Sequence, residues 1–330
     1  MRKLIFVAAL LLLAVAPTHA QTGYVVNSPC TGSPYDDTAA ILAAVNQANQ
    51  TGGVVSLPAK GSTCTLNQPI TLRTGVVLEG GCAAGGSPGA SPNQGVAERW
   101  CTKLLWTGPQ TGWPVAVSCG SNALNCGVRN LLIDCGGADP TASTCQGIYL
   151  PSNLNFTLQD VTVINARIGI LFGGDPANQL STANAAPRNL HCWNAGDCYY
   201  FYGMVGGQHV SPATDIHGQG LYCWYFQYTC VHITSSTDDI HFDGGMIISS
   251  AGTGAVAFLF NSDNGSIGTA SNSFDNFTIQ VVPGDQFVVC NTTNGGHLRI
   301  TGLFINAPSP TINPGCLLTI QALDRLGGSP

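Results

Sequence analysis

Two matching stretches in the middle of the chain, "NLHCWNAGDC" at residues 189–198 and "GLYCWYFQYTC" at 220–230, decide the fold prediction. Three positions recur: Leu190, Cys192 and Trp193 of the first stretch become Leu221, Cys223 and Trp224 of the second. The offset of 31 residues is a period typical of repeat architectures. The match therefore predicts that the chain is built of similar units that stack on one another.

The same pattern, a turn residue followed by alternating apolar positions, recurs along most of the chain. Its copies begin at Gly75, Lys103, Asn130, Asp160, Asn189, Gly220, Gly245, Asn276 and Gly302. The steps are roughly 25 to 31 residues, and a second short apolar segment often follows each start. Short strands at this period predict an all-β parallel β-helix of about nine coils, in which each coil buries its apolar residues against its neighbours. A β-sandwich is the alternative, but it favours hairpins and strands spaced by about 8–12 residues.

The fourteen cysteines favour disulfides over a metal centre, because their number is even and no C-x-x-C pair occurs. Equivalent positions in neighbouring coils lie about 4.8 Å apart, and a disulfide joins Cα atoms about 4.4–6.8 Å apart. Stacking therefore predicts the pairs Cys192–Cys223, Cys198–Cys230 and Cys290–Cys316. Local and remaining pairs complete the prediction: Cys135–Cys145, Cys119–Cys126, Cys82–Cys101 and Cys30–Cys64.

Residues 1–20, "MRKLIFVAALLLLAVAPTHA", have the features of a secretory signal peptide: two positive charges, an apolar run and small residues before the cleavage site. A membrane anchor is the alternative, but the run is short for a span and no stop-transfer pattern follows it. We therefore predict a secreted protein, extracellular or periplasmic, with no membrane span in the mature chain.

The charge composition argues against nucleic acid as the main partner. Only 8% of the residues are charged and the formal net charge is −6, whereas an average domain has roughly 25% charged residues. Nucleic acids and anionic membranes attract clustered Lys and Arg, which are scarce here. A polar surface made of Asn, Thr, Ser, Gln and Gly fits a carbohydrate-facing or repetitive β protein.

The stretch "YDDTAAILAAVNQANQTGG" at 35–53 predicts an α-helix at about 37–50. Asp37 is a candidate N-cap, the apolar residues Ile41, Val45 and Ala48 share one face, and the Gly-Gly pair ends the helix. A stack of coils has an open apolar end that must be covered. We therefore predict that this helix caps a single domain over residues 21–330.

The N-terminal segment from the Asp-Asp-Thr start through the Gly-Gly, Leu-Pro-Ala and "VVLEG" elements, about residues 36–81, resembles the pectate-lyase-like superfamily of right-handed parallel β-helix proteins. That group includes pectate lyases, polygalacturonases and tailspike-type depolymerases. The resemblance implies a right-handed coil and a polysaccharide partner. For the lyases it also implies an Arg or Lys base and calcium held by acidic residues.

Acidic and imidazole side chains are concentrated in "TDIHG" at 214–218 and "TDDIHFDGG" at 237–245. The candidate catalytic residues are Asp215, His217, Asp238, Asp239, His241 and Asp243. They form an acid/base pair or a calcium site if the coils bring them together. The alternative is turn chemistry, because Asp side chains bond their own backbone in tight turns. Of the polygalacturonase motifs, only the Asp-Asp pair at 238–239 is matched.

Strand alternation predicts a second candidate site. If the residues at 190 and 192 point inward, their neighbours point outward, and the same parity applies one coil later. The predicted substrate-binding residues are Asp134, His191, Trp193, Tyr222 and Trp224. Exposed aromatic patches usually mark recognition, so this set predicts a sugar-stacking platform, with Arg167 or Arg188 nearby as a lyase-type base. The alternative is that a loop covers this face and the rings are ordinary packing.

Together these features predict a secreted, carbohydrate-active β-helix protein that binds a polysaccharide. The enzyme hypothesis adds depolymerisation by a lyase or a glycoside hydrolase. The alternative is a non-catalytic secreted structural or adhesion protein, because the fold alone does not settle function.

Overall fold

The structure is a computed structural model that describes residues 23–25, 30, 36–58, 61–81, 101–137, 139–178, 180–205, 208–209, 212–234, 237–249, 252, 254–261, 271–291 and 297–326. The predicted signal peptide and Cys82 lie outside the described residues. Within them, no helix is long and apolar enough to cross a membrane.

One helix and 24 strands make up the described chain. The helix α1 spans Thr38–Thr51. The strands are β1 (Gly23–Val25), β2 (Gly53–Ser56), β3 (Thr63–Leu66), β4 (Ile70–Leu72), β5 (Val76–Glu79), β6 (Thr102–Trp106), β7 (Val115–Cys119), β8 (Gly127–Asp134), β9 (Gln146–Leu150), β10 (Thr157–Ile164), β11 (Ile168–Gly173), β12 (Arg188–Trp193), β13 (Asp197–Tyr202), β14 (Met204–Val205), β15 (Gln208–His209), β16 (Thr214–Trp224), β17 (Thr229–Thr234), β18 (Asp238–Ile248), β19 (Val256–Asn261), β20 (Ser271–Gln280), β21 (Gln286–Cys290), β22 (His297–Ile305), β23 (Thr311–Ile312) and β24 (Leu317–Leu326).

Two parallel sheets form opposite walls of the molecule, as expected for a β-helix. The larger, here called the major sheet, runs β1-β2-β5-β8-β10-β12-β16-β18-β20-β22-β24, with β3 and β6 beside this path. The minor sheet runs β23-β21-β19-β17-β13-β11-β9-β7-β4. The chain alternates between the sheets, so each coil contributes a strand to both walls and the apolar core lies between them.

The register predicted from the opening pair of stretches is confirmed. Strands β12 and β16 pair in parallel with Leu190 opposite Leu221 and Trp193 opposite Trp224. Leu190 and Leu221 are fully buried, as the inward parity requires. The predicted all-β parallel β-helix with an N-terminal helix is therefore correct.

The first two predicted coil starts are not successive coils. Strand β5 pairs with the first half of β8, with Val77 opposite Gly127, and β6 pairs with the second half, with Leu104 opposite Ile133. Gly75 and Lys103 thus begin two strands that lie end to end in one row. An eight-residue β8 accommodates both, and a periodicity argument has no means of separating this arrangement from two coils.

Most of the later coil starts adopt a left-handed backbone conformation. Asn130, Asp160, Asn189 and Asn276 have φ between 50° and 61°, and Gly220 has φ 71°. Asn, Asp and Gly tolerate this region better than other residues, which explains why they recur at these positions. The Asn189 side chain also donates a 2.8 Å hydrogen bond to Asp160 in the preceding coil.

Most of the predicted disulfides are present. The structure contains Cys30–Cys64, Cys119–Cys126, Cys135–Cys145 and Cys290–Cys316. Cys101 is also disulfide-bonded, and its predicted partner lies outside the described residues.

The two predicted coil-to-coil pairs in the middle of the chain, Cys192–Cys223 and Cys198–Cys230, are wrong. Cys192 bonds Cys198, and Cys223 bonds Cys230, each across the turn of its own coil. Stacked residues project their side chains in parallel, so their Cβ atoms remain about 4.8 Å apart, whereas a disulfide needs about 3.5–4.5 Å. Cys198 instead faces Cys192 from the minor sheet, with 5.5 Å between the Cα atoms.

The capping helix is present with one change in its N-terminal hydrogen bonds. The Asp37 side chain makes no capping bond; its carboxylate accepts from the Thr65 N–H at 2.8 Å and so ties the helix to the first coil. The Asp36 carboxylate accepts from the Thr38 N–H at 2.9 Å instead. The predicted helix face, Ile41, Val45 and Ala48, is buried in the core.

Candidate functional site

Strand β16 carries residues of both predicted sites on its outward face. Up to Gln219 the odd-numbered residues face solvent, and after Gly220 the even-numbered ones, Tyr222 and Trp224, are the more exposed. The left-handed Gly220 causes this change of parity, because one extra residue moves every later side chain to the other face. At about 3.3 Å per residue, His217 and Tyr222 lie about 16 Å apart along one surface.

Five rings form a continuous surface at the ends of β12 and β16, here called the aromatic ladder: His191, Trp193, Tyr222, Trp224 and Tyr225. The His191 and Tyr222 rings stack at 4.4 Å and 5°. The Trp193 and Trp224 rings lie 5.7 Å apart, and His191 also stacks on Trp224 at 5.4 Å. These contacts follow from the parallel register, which places His191 opposite Tyr222.

Tyr225 is a member of the ladder that the sequence analysis missed. Its ring lies 4.8 Å from that of Trp193, and it is 39% exposed. The backbone at Tyr225 has φ 57°, a conformation that is uncommon for a bulky residue. Strand parity does not predict where the ring of a residue in a left-handed turn conformation will lie. The sequence indicated Tyr225 only through its position directly after Trp224.

Burial keeps the His191 ring neutral. It lowers the pKa of His191 to about 4, against a smaller opposite effect of the Asp160 charge. The His191 residue is only 6% exposed, so its ring supports that of Tyr222, on which it stacks, and the other four rings provide the surface open to solvent. The two tryptophans and Tyr222 are half-buried, so each ring keeps part of its surface open to solvent.

Asp134 lies two coils before Trp193, as predicted, but it does not join the ladder. In the register Ile164 stands between Asp134 and Trp193. The Asp134 carboxylate accepts from the Gly136 N–H and from the Asn165 side chain, both at 2.9 Å. These bonds give Asp134 a structural role at the turn.

The predicted site of acidic and imidazole side chains contains a compact group, here called the His–Asp cluster: His217, Asp239 and His241. The two oxygens of Asp239 each contact a different imidazole, at 2.9 Å to His217 Nε2 and 2.6 Å to His241 Nε2. The other nitrogen of His241 lies 2.5 Å from Ser273 Oγ. Parallel pairing places His217 opposite His241 and His241 opposite Ser273.

Asp215 lies beside the cluster, and its environment differs from that of Asp239. Burial, followed by a hydrogen bond to Asp239 and the charge of Asp239, raises the pKa of Asp215. Burial alone would raise the pKa of Asp239 too, but hydrogen bonds from His217 and His241 and their charges lower it overall. The pKa values of the two carboxyl groups are therefore shifted in opposite directions.

Asp238 and Asp243 stand outside this contact network. The Asp238 carboxylate accepts from the Ser271 N–H at 3.2 Å, and Asp243 accepts from the Asn276 side chain at 2.7 Å. Asp238 acts on the cluster only as a neighbouring charge that raises the pKa of Asp215.

Arg167 lies in a separate group at the turn between the two sheets. Its guanidinium carbon lies 4.1 Å from the Tyr228 ring centroid and 5.9 Å from that of Trp113. Burial raises the pKa of nearby Asp197 to about 6, with Arg167 opposing the shift. Arg188 is exposed at the start of β12. Neither arginine has a described hydrogen bond or ion pair to the ladder or to the His–Asp cluster.

The donor set of the cluster does not fit the calcium implied by the family resemblance. Calcium takes about six to eight oxygen ligands, whereas two of the three converging donor atoms here are imidazole nitrogens. No step through calcium follows from this arrangement.

No protein-family model and no curated protein matches the sequence. Solved structures match the fold. The DFA-IIIase of Arthrobacter chlorophenolicus A6, in complex with DFA-III, superposes with a TM-score of 0.58 at 13% identity over 93% of this chain and 82% of that one.

Two tailspike protein mutants of E. coli bacteriophage HK620 also match. One has a TM-score of 0.55 at 12% identity and covers 91% of this chain and 60% of the tailspike. The other, in complex with a pentasaccharide, has a TM-score of 0.51 at 13% identity and covers 90% and 58%. Identities this low carry the architecture and not the activity. The chain therefore has the right-handed parallel β-helix fold that its resemblance to the pectate-lyase-like superfamily implied.

Proposed function

We propose that this protein binds a polysaccharide along the outward face of the major sheet, with the aromatic ladder as the stacking surface. The observation that carries the proposal is the contact of five rings across two adjacent coils and the turn after them. Aromatic side chains combine a large apolar face with a polar tip, which suits sugar rings that have an apolar face and hydroxyl edges.

The chemistry around the ladder supports a neutral or weakly acidic glycan. His191 is held neutral by burial, and the chain has only 11 Lys and Arg residues against 17 acidic ones. A strongly anionic polymer would gain little from long-range attraction to such a surface. Similar folds in complex with DFA-III and with a pentasaccharide agree with a glycan ligand.

The test is binding to a panel of neutral and acidic glycans, polygalacturonate included, by calorimetry or affinity electrophoresis. Trp193→Ala and Trp224→Ala should each weaken binding at least about tenfold, since losing a central aromatic contact costs upwards of 1.4 kcal/mol. The matched control, Tyr202→Ala, removes a half-buried ring from the minor sheet and should leave binding unchanged. Equal affinities in the wild type and both Trp variants would reject the proposal.

A second candidate function, cleavage of the bound glycan, is favoured by the contrast between Asp215 and Asp239. A carboxyl with a raised pKa next to one with a lowered pKa is a common general-acid arrangement. The Asp239 carboxylate already contacts two imidazoles, so it is not free to act as the second carboxylate that most glycosidases place across the glycosidic bond from the acid. Asp215 alone is thus the proposed acid.

Cleavage is tested by incubating the protein with each glycan that binds. New absorbance from unsaturated ends identifies a lyase, and new reducing ends without it identify a hydrolase. Asp215→Asn should abolish either product while glycan affinity stays within about twofold, because Asp215 lies seven residues before Tyr222 on the same strand, about 23 Å away. If no product forms from any bound glycan, the non-catalytic alternative replaces the enzyme hypothesis.

A further inference from the structure

We propose that the His–Asp cluster is a binding site for a divalent transition-metal ion, of which zinc is the best-fitting example. His217, Asp239 and His241 each offer one donor atom, and these atoms lie within 4.8 Å of one another. The site is independent of the aromatic ladder, and it stands whether or not the ladder binds a glycan.

The donor types select the ion. Two imidazole nitrogens with a carboxylate suit zinc, nickel, copper or cobalt, whose affinity for nitrogen ligands exceeds that of magnesium or calcium. In zinc sites the bonds to nitrogen and oxygen are about 2.0–2.2 Å, so neighbouring ligand atoms sit about 3.3 Å apart around a tetrahedral ion. The Asp239 oxygens lie 2.9 Å from His217 Nε2 and 2.6 Å from His241 Nε2. Both distances would have to increase by less than about 1 Å to reach that spacing.

The fold holds the donors in place before any ion arrives. His217 and His241 are register partners on β16 and β18, so one strand spacing separates their backbones. Asp239 has a left-handed backbone, with φ 57°, and its carboxylate lies between the two imidazoles. A site whose ligands sit on paired strands loses little conformational freedom on binding.

A second layer of contacts orients one ligand. Ser273 Oγ lies 2.5 Å from His241 Nδ1, and it comes from β20, the next strand of the sheet. Metal-binding histidines almost always hydrogen-bond through their other ring nitrogen, which fixes the ring and directs the free nitrogen to the ion. Ser273 occupies that position.

The local charge favours a cation. The parallel register of β16 and β18 places Asp215 beside Asp238 and Asp239. In the described part of the chain, Asp239 forms ion pairs only with the two histidines. Arg299 is bonded to Asp275, and no arginine among the described residues forms an ion pair with the cluster.

One side of the site is open to solvent. The His217 side chain is 58% exposed and that of Asp239 is 38% exposed. Three protein ligands with an open fourth position are the arrangement of catalytic rather than structural zinc sites. The ion would therefore bind with a water molecule or a ligand group in the remaining position.

The test uses the full oxidised chain, stripped of metal with a chelator and dialysed. Titration with zinc in a calorimeter should show one site, zinc should raise the Tm, and cobalt(II) should give visible absorbance bands. Calcium at the same concentration should produce neither heat nor a Tm shift. Absence of zinc binding, or calcium binding in its place, would overturn the proposal.

Three variants locate the ion. His217→Ala and His241→Ala should each weaken zinc binding at least about 100-fold, beyond the roughly 10–100-fold that outer-layer changes cost. Ser273→Ala should weaken it by about tenfold. The control His297→Ala removes a histidine from the same sheet, bonded to Thr319 rather than to the cluster, and should bind as the wild type does. Melting without metal shows that each variant folds, and wild-type affinity in His217→Ala and His241→Ala would place the ion elsewhere.

Discussion

The two sheets carry nearly identical His–Tyr stacks in different settings. On the major sheet the His191 and Tyr222 rings lie 4.4 Å apart at 5°. On the minor sheet the Tyr200 and His232 rings lie 4.2 Å apart at 5°. Both pairs are register partners in neighbouring coils, and burial lowers the pKa of both histidines to about 4.

What surrounds the two stacks is different. The His191 pair continues into two tryptophans and the exposed Tyr225. In the minor sheet the stack meets one further ring, that of Tyr202 at 5.1 Å from Tyr200, and no tryptophan. The strand register places Leu171 before Tyr200 and Leu259 after His232. Both nitrogens of His232 are buried with no hydrogen-bond partner among the described residues. Ring stacking is thus a product of the repeat, and only its continuity with exposed rings indicates recognition.

The largest effect that tests the comparison is acid destabilisation. Each histidine has a folded pKa of about 4 against about 6.5 unfolded, so between these values the unfolded chain binds more protons. The free energy of unfolding should therefore fall as the pH drops from 6.5 to 4, by up to about 3 kcal/mol per histidine. Asp197 has a raised pKa of about 6 in the folded protein. Its folded form therefore binds more protons than its unfolded form over this pH range, and Asp197 stabilises the protein as the pH falls.

Comparing the wild type with His191→Phe/His232→Phe isolates the histidines, because Asp197 is common to both chains. Denaturant unfolding at a series of pH values should show that the double variant loses several kcal/mol less than the wild type between pH 6.5 and 4. Parallel curves for the two proteins would show that neither histidine is held neutral.

His232→Phe alone should separate the two sheets at neutral pH. A buried polar group without a partner costs about 1–3 kcal/mol, and a phenyl ring keeps the stack on Tyr200. We expect the free energy of unfolding at pH 7 to rise by about 1–2 kcal/mol, measured by denaturant titration, with glycan binding unchanged. A loss of stability would mean that the imidazole has a polar partner in solution.

The smallest expected effect is the loss of glycan affinity when a single ring at the edge of the ladder is removed. Tyr225→Ala should weaken glycan binding by about tenfold or less, since the ring lies at the edge of the ladder. Tyr200→Ala removes a ring of the same type from the minor sheet and should lower stability without changing the affinity. Affinity losses of equal size in both variants would show that the minor sheet also contacts the ligand.

The periodicity of the sequence predicted which residues stack on one another in neighbouring coils. It did not predict the backbone conformation between those residues. The register of Trp193 on Trp224 and that of His191 on Tyr222 follow from spacing alone. The alignment of the ladder with the His–Asp cluster depends on the left-handed Gly220, and a single glycine does not reveal its φ. The sequence therefore predicted most members of the two groups, but not Tyr225 and not the surface that the groups share.

The two errors in the prediction have different geometric causes. Spacing describes neighbours along the stack, whereas the disulfide between Cys192 and Cys198 joins side chains that face each other across the turn of one coil. The position of Asp37 before the helix suggested a cap, but its carboxylate accepts from the Thr65 N–H, 28 residues later in the first coil. A repeat period does not contain the side-chain geometry at a turn or at the start of a helix.

The crosslinks that close single coils also bear on how the chain acquires its shape. Cys192 and Cys198 are 6 residues apart, and Cys223 and Cys230 are 7 apart, so each bond joins two residues of one short segment. Neither bond requires a later coil to be in place, and neither can join residues of two different coils. Folding can therefore proceed from the capping helix toward the C-terminus, with each disulfide closing its own coil.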